Sequence, residues 1–288
     1  MKFPKCNLHT HTRYCDGRNT AEEMVTAAIS AGMEIIGFSG HSPLSLNDPD
    51  CDDDWCMTRD GAEHYRSEIA ALKEKYGDRI LVLCGIEQDF LSGKPTESYD
   101  YVIGSVHFVR APDGALCPVD AEPERVRNDV EKHFGGDFYA WTQRYFETVS
   151  HVVEVTGCDI IGHFDLVQKF NENDKLFAAG EPRYRKPLID ALTRLLATGR
   201  IFEINTGAMS RGYRKEPYPD AYALRWIAAN GGKVMLTADA HRKDDLMFGF
   251  REAASIAKSC GVGGLVVPDS GKPGQWKTVP IGSERYPK

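Results

Sequence analysis

The chain has 288 residues, 42% of them hydrophobic and 27% charged, a composition that excludes an intrinsically disordered protein. Its formal net charge is −7 and no stretch is dense in Lys and Arg, which excludes nucleic acid and acidic membranes as general partners and leaves an anionic substrate dependent on a local field. No run of about eighteen apolar residues could span a bilayer and "MKFPKCNLH" lacks the apolar core of a signal peptide, so a cytoplasmic protein with no membrane partner is expected.

In chain order, the first strand is "KCNLH", closing on His9 with His11 two residues on, and Asp16 follows on the next loop. A helix then starts at Thr20, with Glu23 three residues later as a capping box, and stops at Gly32 in the C′ position. The second strand, "EIIGFSGH", ends at His41. Residues 42 to 60, containing "NDPDCDDDW", form an expected lid loop, and the helix "EHYRSEIAALKEKYG" stops at Gly77 as the first stops at Gly32. "RILVLCGIE" ends at Glu87 and "YDYVIGSVHF" carries His107, before a second expected lid loop at 110 to 124. "CDIIGHFDL" carries His163, with Lys169 just beyond. The helix "RYRKPLIDALTRLLATG" leads to the sixth strand, "RIFEINTGA", whose exit loop holds Arg211, Arg214 and Lys215. After "PDAYALRWIAANG", the seventh strand "KVMLTADAH" ends in Asp239 and His241, with Arg242 beside them. The tail, 268 to 288, is expected to wrap the outside.

Glycine stops that each precede a strand are the punctuation of repeated βα units. Seven such units imply an α/β fold with a mainly parallel sheet closed into a barrel, formed by a single domain over 1 to 288. The eight cysteines are scattered without CxxC pairing and read as free thiols. Cys51 and Cys56 lack the second pair that a zinc knuckle needs.

Six of the seven strands finish in a metal-type ligand. One histidine at a strand end is most often solvated or hydrogen-bonded. Here six of nine sit at strand ends, while His64, His133 and His151 fall on helical stretches. In a βα barrel those ends converge on one mouth, and residues two apart on a strand share a face, so His9 with His11, and Asp239 with His241, can reach one cluster. His9, His11, Asp16, His41, Glu87, His107, His163, Asp239 and His241 make nine candidate ligands without a thiolate, enough for three divalent ions and suited to Zn²⁺, Mn²⁺ or Fe²⁺ in an open catalytic site. Three such ions, set against three carboxylates and a hydroxide, leave roughly +2 at the mouth, and a phosphate dianion is the natural guest. The expected chemistry is in-line attack of hydroxide on phosphorus, with Asp16 or a water protonating the leaving group. Arg211 is the expected phosphate clamp, and Lys169 and Arg242 are further candidates for substrate binding, against the plainer reading of a basic surface loop.

The motifs "HTHTRYCDG", "GHSP", "GIEQDF", "IGSVHF", "IGHFDLVQKF", "EINTGAMSRG" and "TADAHR" resemble those of the PHP family (polymerase and histidinol phosphatase), above all its stand-alone histidinol-phosphatases, over residues 5 to 266. The resemblance implies a distorted (β/α)7 barrel of PHP type with a trinuclear metal site, and histidinol phosphate as the small phosphorylated substrate. It places His9, His11, Glu87 and Asp239 on one ion, Glu87, His107 and His163 on a second, and Asp16, His41 and His241 on a third. Many family members carry a His directly after the position of Asp16, where this chain has Gly17. A family phosphoesterase acting on nucleotides or oligonucleotides, and a metal-binding module without activity, are the competing readings.

Overall fold

The computed structural model describes residues 3–44, 54–272 and 274–282. Its elements in chain order are β1 (Cys6–Asn7), α1 (Ala21–Ser30), β2 (Ile35–Phe38), α2 (Arg59–Tyr76), β3 (Leu81–Asp89), β4 (Tyr101–Ser105), β5 (Phe108–Arg110), β6 (Leu116–Pro118), α3 (Pro123–Phe134), α4 (Phe138–Val149), α5 (Val152–Thr156), β7 (Ile160–Ile161), α6 (Pro182–Leu196), β8 (Ile201–Asn205), α7 (Gly207–Ser210), α8 (Ala221–Ala229), β9 (Lys233–Thr237), α9 (Phe250–Ser259), β10 (Gly264–Pro268) and β11 (Trp276–Pro280).

Seven strands form one sheet in the order β1-β2-β3-β4-β7-β8-β9, and every neighbouring pair is parallel. Such strands are covered on both faces, which is why β2 reads "IIGF" with all four residues buried rather than as an alternating pattern. The two ends of the sheet meet through one bridge, Thr10 to Ala240, in which Ala240 N donates to His9 O at 3.0 Å and His11 N to Ala240 O at 2.9 Å. The result is a nearly closed (β/α)7 barrel. Inside it, the buried Tyr101 hydroxyl donates to Leu8 O and Phe38 O, bracing β4 against the first two strands. A Cβ on Gly37 or Gly85 would come within 2.4 Å of that tyrosine, so both positions must lack a side chain.

Helix α1 has the expected capping box, with Thr20 accepting from Glu23 N and the Glu23 carboxylate accepting from Thr20 N, and Gly32 follows its C-cap at φ +69°. Gly77 differs from expectation: it is the C-cap of α2 itself, in right-handed conformation at φ −63°, and supplies no left-handed stop. The segment 110 to 124 is not a bare loop, because the antiparallel β5–β6 hairpin takes Arg110 and Leu116–Pro118 and α3 begins at Pro123, leaving 111–115 and 119–122 as connections. The tail likewise forms a second antiparallel hairpin, β10 with β11. Of the first lid segment, residues 45 to 53, including Cys51, lie outside the described residues, as do residues 273 and 283 to 288 of the tail. The other seven cysteines are free thiols, and among the described residues no helix is long and apolar enough to cross a membrane.

Candidate active site

The bridges that shape the barrel rim also aim its side chains. His9 and His11 flank Thr10, and Asp239 and His241 flank Ala240, so the one bridge that closes the barrel holds all four on the same side. A second bridge pairs His41 with Glu87, fixed by Ser42 N donating to Glu87 O at 2.9 Å and Glu87 N to Gly40 O at 3.1 Å. Glu87 in turn is in register with Ile103 on β4, and Asp89 with Ser105, which brings His107 over the same carboxylate.

All nine candidate ligands meet at this rim, with Glu87 at the centre. Its Oε2 lies 2.9 Å from His41 Nδ1, 3.1 Å from His9 Nε2 and 3.5 Å from His11 Nε2. Its Oε1 lies 3.0 Å from His163 Nε2 and 3.5 Å from His107 Nε2, and accepts from Ser105 Oγ at 2.6 Å. Asp239 Oδ1 is 3.2 Å from His11 Nε2 and 3.6 Å from His9 Nε2. Asp16 Oδ2 is 2.9 Å from His241 Nε2, while its Oδ1 is 3.5 Å from His11 Nδ1. Three groups have ligand atoms within 4.8 Å of one another: His9, His11 and Asp239; His41, Glu87 and His107; and His11, Asp16, His41 and His241. The grouping differs from expectation in detail, since His41 joins Glu87 where His163 was expected and His11 joins the Asp16 group.

The donor set fits cations. His9 Nε2, His11 Nε2 and Glu87 Oε2 are buried, the two nitrogens lie 3.1 and 3.5 Å from the Glu87 oxygen, and none of the three forms a hydrogen bond among the described residues. Buried polar atoms are normally paired, and imidazole and carboxylate lone pairs pointed at one place suit a divalent ion. The imidazoles are also oriented from behind. Fully buried Glu203 accepts from His9 Nδ1 at 2.6 Å and, through its other oxygen, from His163 N and Asn205 Nδ2. Asp89 Oδ2 accepts from His107 Nδ1 at 2.9 Å. Each carboxylate fixes the tautomer so that Nε2 faces Glu87.

Electrostatics follow from this crowding. Burial works against an ionised Glu87, yet the charges of His9 and His41 and hydrogen bonds from His107 and His163 hold its carboxyl well below the usual range. Asp16 and Asp239 are depressed against burial in the same manner, by His241 and His41 for Asp16 and by Arg211 and His9 for Asp239. Burial and the neighbouring His241 and His41 push His11 down to about 3, leaving a neutral imidazole with a free lone pair.

Above the cluster lies a cavity of about 630 Å³. Arg211 lines it, donating to Asp239 Oδ2 at 3.1 Å and to His241 Nδ1 at 3.1 Å. Lys169 lines it too, held by Asp120. Arg242 does not: its side chain is 56% exposed, 3.8 Å from Asp244, and stands outside the cavity. Both lid segments contribute to the walls, Trp55 from the first and Pro118 and Asp120 from the second, with Phe108 beside them on β5. Of the remaining histidines, His64 sits on α2, His133 on α3 beside Asp113, and His151 at the start of α5 beside Glu154, all away from the cluster.

Glu203 carries no mark in a scan of strand ends because it lies inside β8, and Asp89, which closes β3, is passed over when Glu87 is taken as that strand's end. Asp89 stands two residues after Glu87 in "GIEQDF" and shares its face by the spacing that ties His9 to His11, a signal that was open to use. At Gly17 a Cβ would lie 2.4 Å from Thr12 N and 2.5 Å from His11 C, so this backbone accepts no side chain beside Asp16.

Residues 7–207 match the PHP domain family. A Deinococcus radiodurans protein described as a probable histidinol-phosphatase is 31% identical over 276 residues, covering 91% of this chain and 95% of the relative. Among solved structures, a Listeria monocytogenes protein superposes with a TM-score of 0.76 at 21% identity, over 86% of this chain and 99% of its own. A Lactococcus lactis histidinol phosphate phosphatase, solved with zinc, L-histidinol and phosphate, superposes with a TM-score of 0.69 at 21% identity, over 92% of this chain and 97% of its own.

Proposed function

The chain belongs to the PHP domain family, and on that premise we propose that it is a metal-dependent phosphomonoesterase hydrolysing L-histidinol phosphate to L-histidinol and inorganic phosphate, a step of histidine biosynthesis. The observation that carries the reading is Glu87, whose two oxygens each face a separate set of imidazoles and so can bridge two cations. His9, His11, Asp239 and one Glu87 oxygen would hold one divalent ion, the other Glu87 oxygen with His107 and His163 a second, and Asp16, His41 and His241 a third. Zinc is the first metal to test, since the Lactococcus lactis phosphatase was solved with it, and manganese and iron suit the same donors. Divalent ions there make water nucleophilic near neutral pH and offset phosphate charge.

The chain's own residues supply the rest. Arg211 and Lys169 border the cavity as cationic donors for the phosphate oxygens, Arg211 with a planar fork that matches two of them at once. Asp16, at the cavity edge, is held ionised by His241 and His41, so the proton for the leaving alkoxide would come from a water rather than from its carboxyl. The cavity, about 630 Å³ and bordered by Trp55, Phe108 and Pro118, is of a size for a small phosphate ester, whereas an oligonucleotide needs an extended groove.

The test is phosphate release from L-histidinol phosphate, nucleoside monophosphates and an aryl phosphate, with metal content measured on the same sample. We expect kcat/KM for histidinol phosphate to exceed the others by about 100-fold or more. A preference for a nucleotide would overturn the substrate assignment.

A further inference from the structure

Among the described residues bordering the cavity, Lys169 and Asp120 form a charged pair that stands apart from the imidazole and carboxylate cluster. Lys169 Nζ donates to the main-chain O of Asp120 at 2.6 Å and to its Oδ2 at 3.1 Å, and lies 5.3 Å from the ring centroids of both Phe170 and Tyr213. This wall therefore already receives an ammonium group, with two oxygen acceptors and two aromatic faces around it. Asp120 is held firmly: it follows β6, and Val119 N donates to His107 O at 2.9 Å, which ties the acid to the rim of the imidazole cluster. Asp54 borders the cavity too, while Asp16, Glu87 and Asp239 turn their oxygens to imidazoles or, for Asp239 Oδ2, to Arg211. Asp120 instead pairs with a lysine, whose flexible stem lets it turn away.

We propose that Asp120 is the specificity residue that binds the ammonium group of an aminoalkyl phosphate, Lys169 releasing it to engage the phosphate of the same molecule. This rests on the phosphatase reading above and deepens it. A substrate carrying both charges satisfies both members of the pair. An amine-free phosphate draws Lys169 away and leaves Asp120 a half-buried carboxylate without a counter-ion, which is penalised. Trp55 and Phe108, with ring centroids 6.2 Å apart on the same cavity, are left to flank the substrate's ring.

The experiment compares kcat/KM within two matched pairs of esters on the metal-loaded enzyme: L-histidinol phosphate against imidazolylpropyl phosphate, and phenylalaninol phosphate against phenylpropyl phosphate. Within each pair only the amine differs, and the readout is the ratio inside one protein, which partial misfolding does not move. The wild type should favour the amine by about 10- to 100-fold in both pairs. Asp120→Asn and Asp120→Ala should bring both ratios to within about threefold of one, whereas Lys169→Met should depress all four esters and keep the preference. A ratio unchanged in Asp120→Asn, a wild type indifferent to the amine, or a preference confined to the imidazole pair would overturn the proposal. Should the imidazole esters be poor substrates in both forms while a nucleotide is a good one, the histidinol phosphate reading fails, and the phenyl pair still decides the role of Asp120.

Discussion

A carboxylate buried as completely as Glu87 takes up a proton in apolar surroundings, and only its ring of imidazoles keeps it ionised. The imidazoles need steering of their own, which Glu203 gives to His9 and Asp89 to His107. Replacing Glu203 with Gln keeps its size but offers His9 Nδ1 a neutral acceptor or a donor, freeing the ring to turn. We expect Glu203→Gln to fold normally and to bind metal about 10- to 100-fold more weakly, with activity partly restored by excess metal. Metal titration of the purified variant checks this, and wild-type affinity would show that Glu203 does not orient His9. At this scale eight of the nine candidate ligands could be read from strand ends and Asp16 from the loop after the first, since polar groups at the exits of apolar runs stand out. Glu203 could not, because an acid inside "RIFEIN" looks like any strand residue until His9, remote in sequence, is seen against it. Arg242 shows the converse, since adjacence to His241 gave it no place in the cavity.

The rim loops and the outer helices answer to different demands. Thr20 caps α1 on the outside of the barrel, so Thr20→Ala should cost about 1 kcal/mol and lower Tm by roughly 2 °C, leaving metal content and turnover intact. Gly17→Ala reverses the pattern: its Cβ collides with the Thr12 and His11 backbone, displacing Asp16 and the histidine pair, so activity and metal content should fall together with little change in circular dichroism. Equal effects of the two variants on activity would contradict this division. All seven barrel strands were legible in the sequence because buried parallel strands are apolar runs closed by glycine-stopped helices. The β5–β6 hairpin was not, since its three-residue strands carry too few residues to show a period, and the β10–β11 hairpin lay where Pro, Gly and Lys suggested a tail. The Thr10–Ala240 bridge, which closes the barrel, has no local signal at all.

For the molecule as a whole, an acidic chain that binds an anion places its cations inside. Burial opposes protonation of His9 and His107, but Glu203 and Glu87 raise His9 well above the ordinary histidine value, and Asp89 and Glu87 do the same for His107. His241 is raised against burial by Asp16. Without metal, His9 and His107 therefore favour the protonated form, and a cation must displace those protons. The sign follows: metal affinity falls as pH drops and rises with pH through the raised values, whereas His11, pushed down to about 3, contributes no pH dependence near neutrality. Calorimetry of metal binding to the stripped protein at pH 7, in two buffers of different ionisation enthalpy, should register net proton release that shrinks at higher pH. No release at pH 7 would contradict the protonated cluster. The central claim is that residues distant in the chain gather cations around one carboxylate and that those cations perform the hydrolysis. Metal content and phosphate release from L-histidinol phosphate, measured together on Glu87→Ala, test it most directly. We expect at least one ion per chain to be lost and turnover to drop by about 10³-fold or more, while a variant that keeps its full metal complement and its turnover would contradict the account.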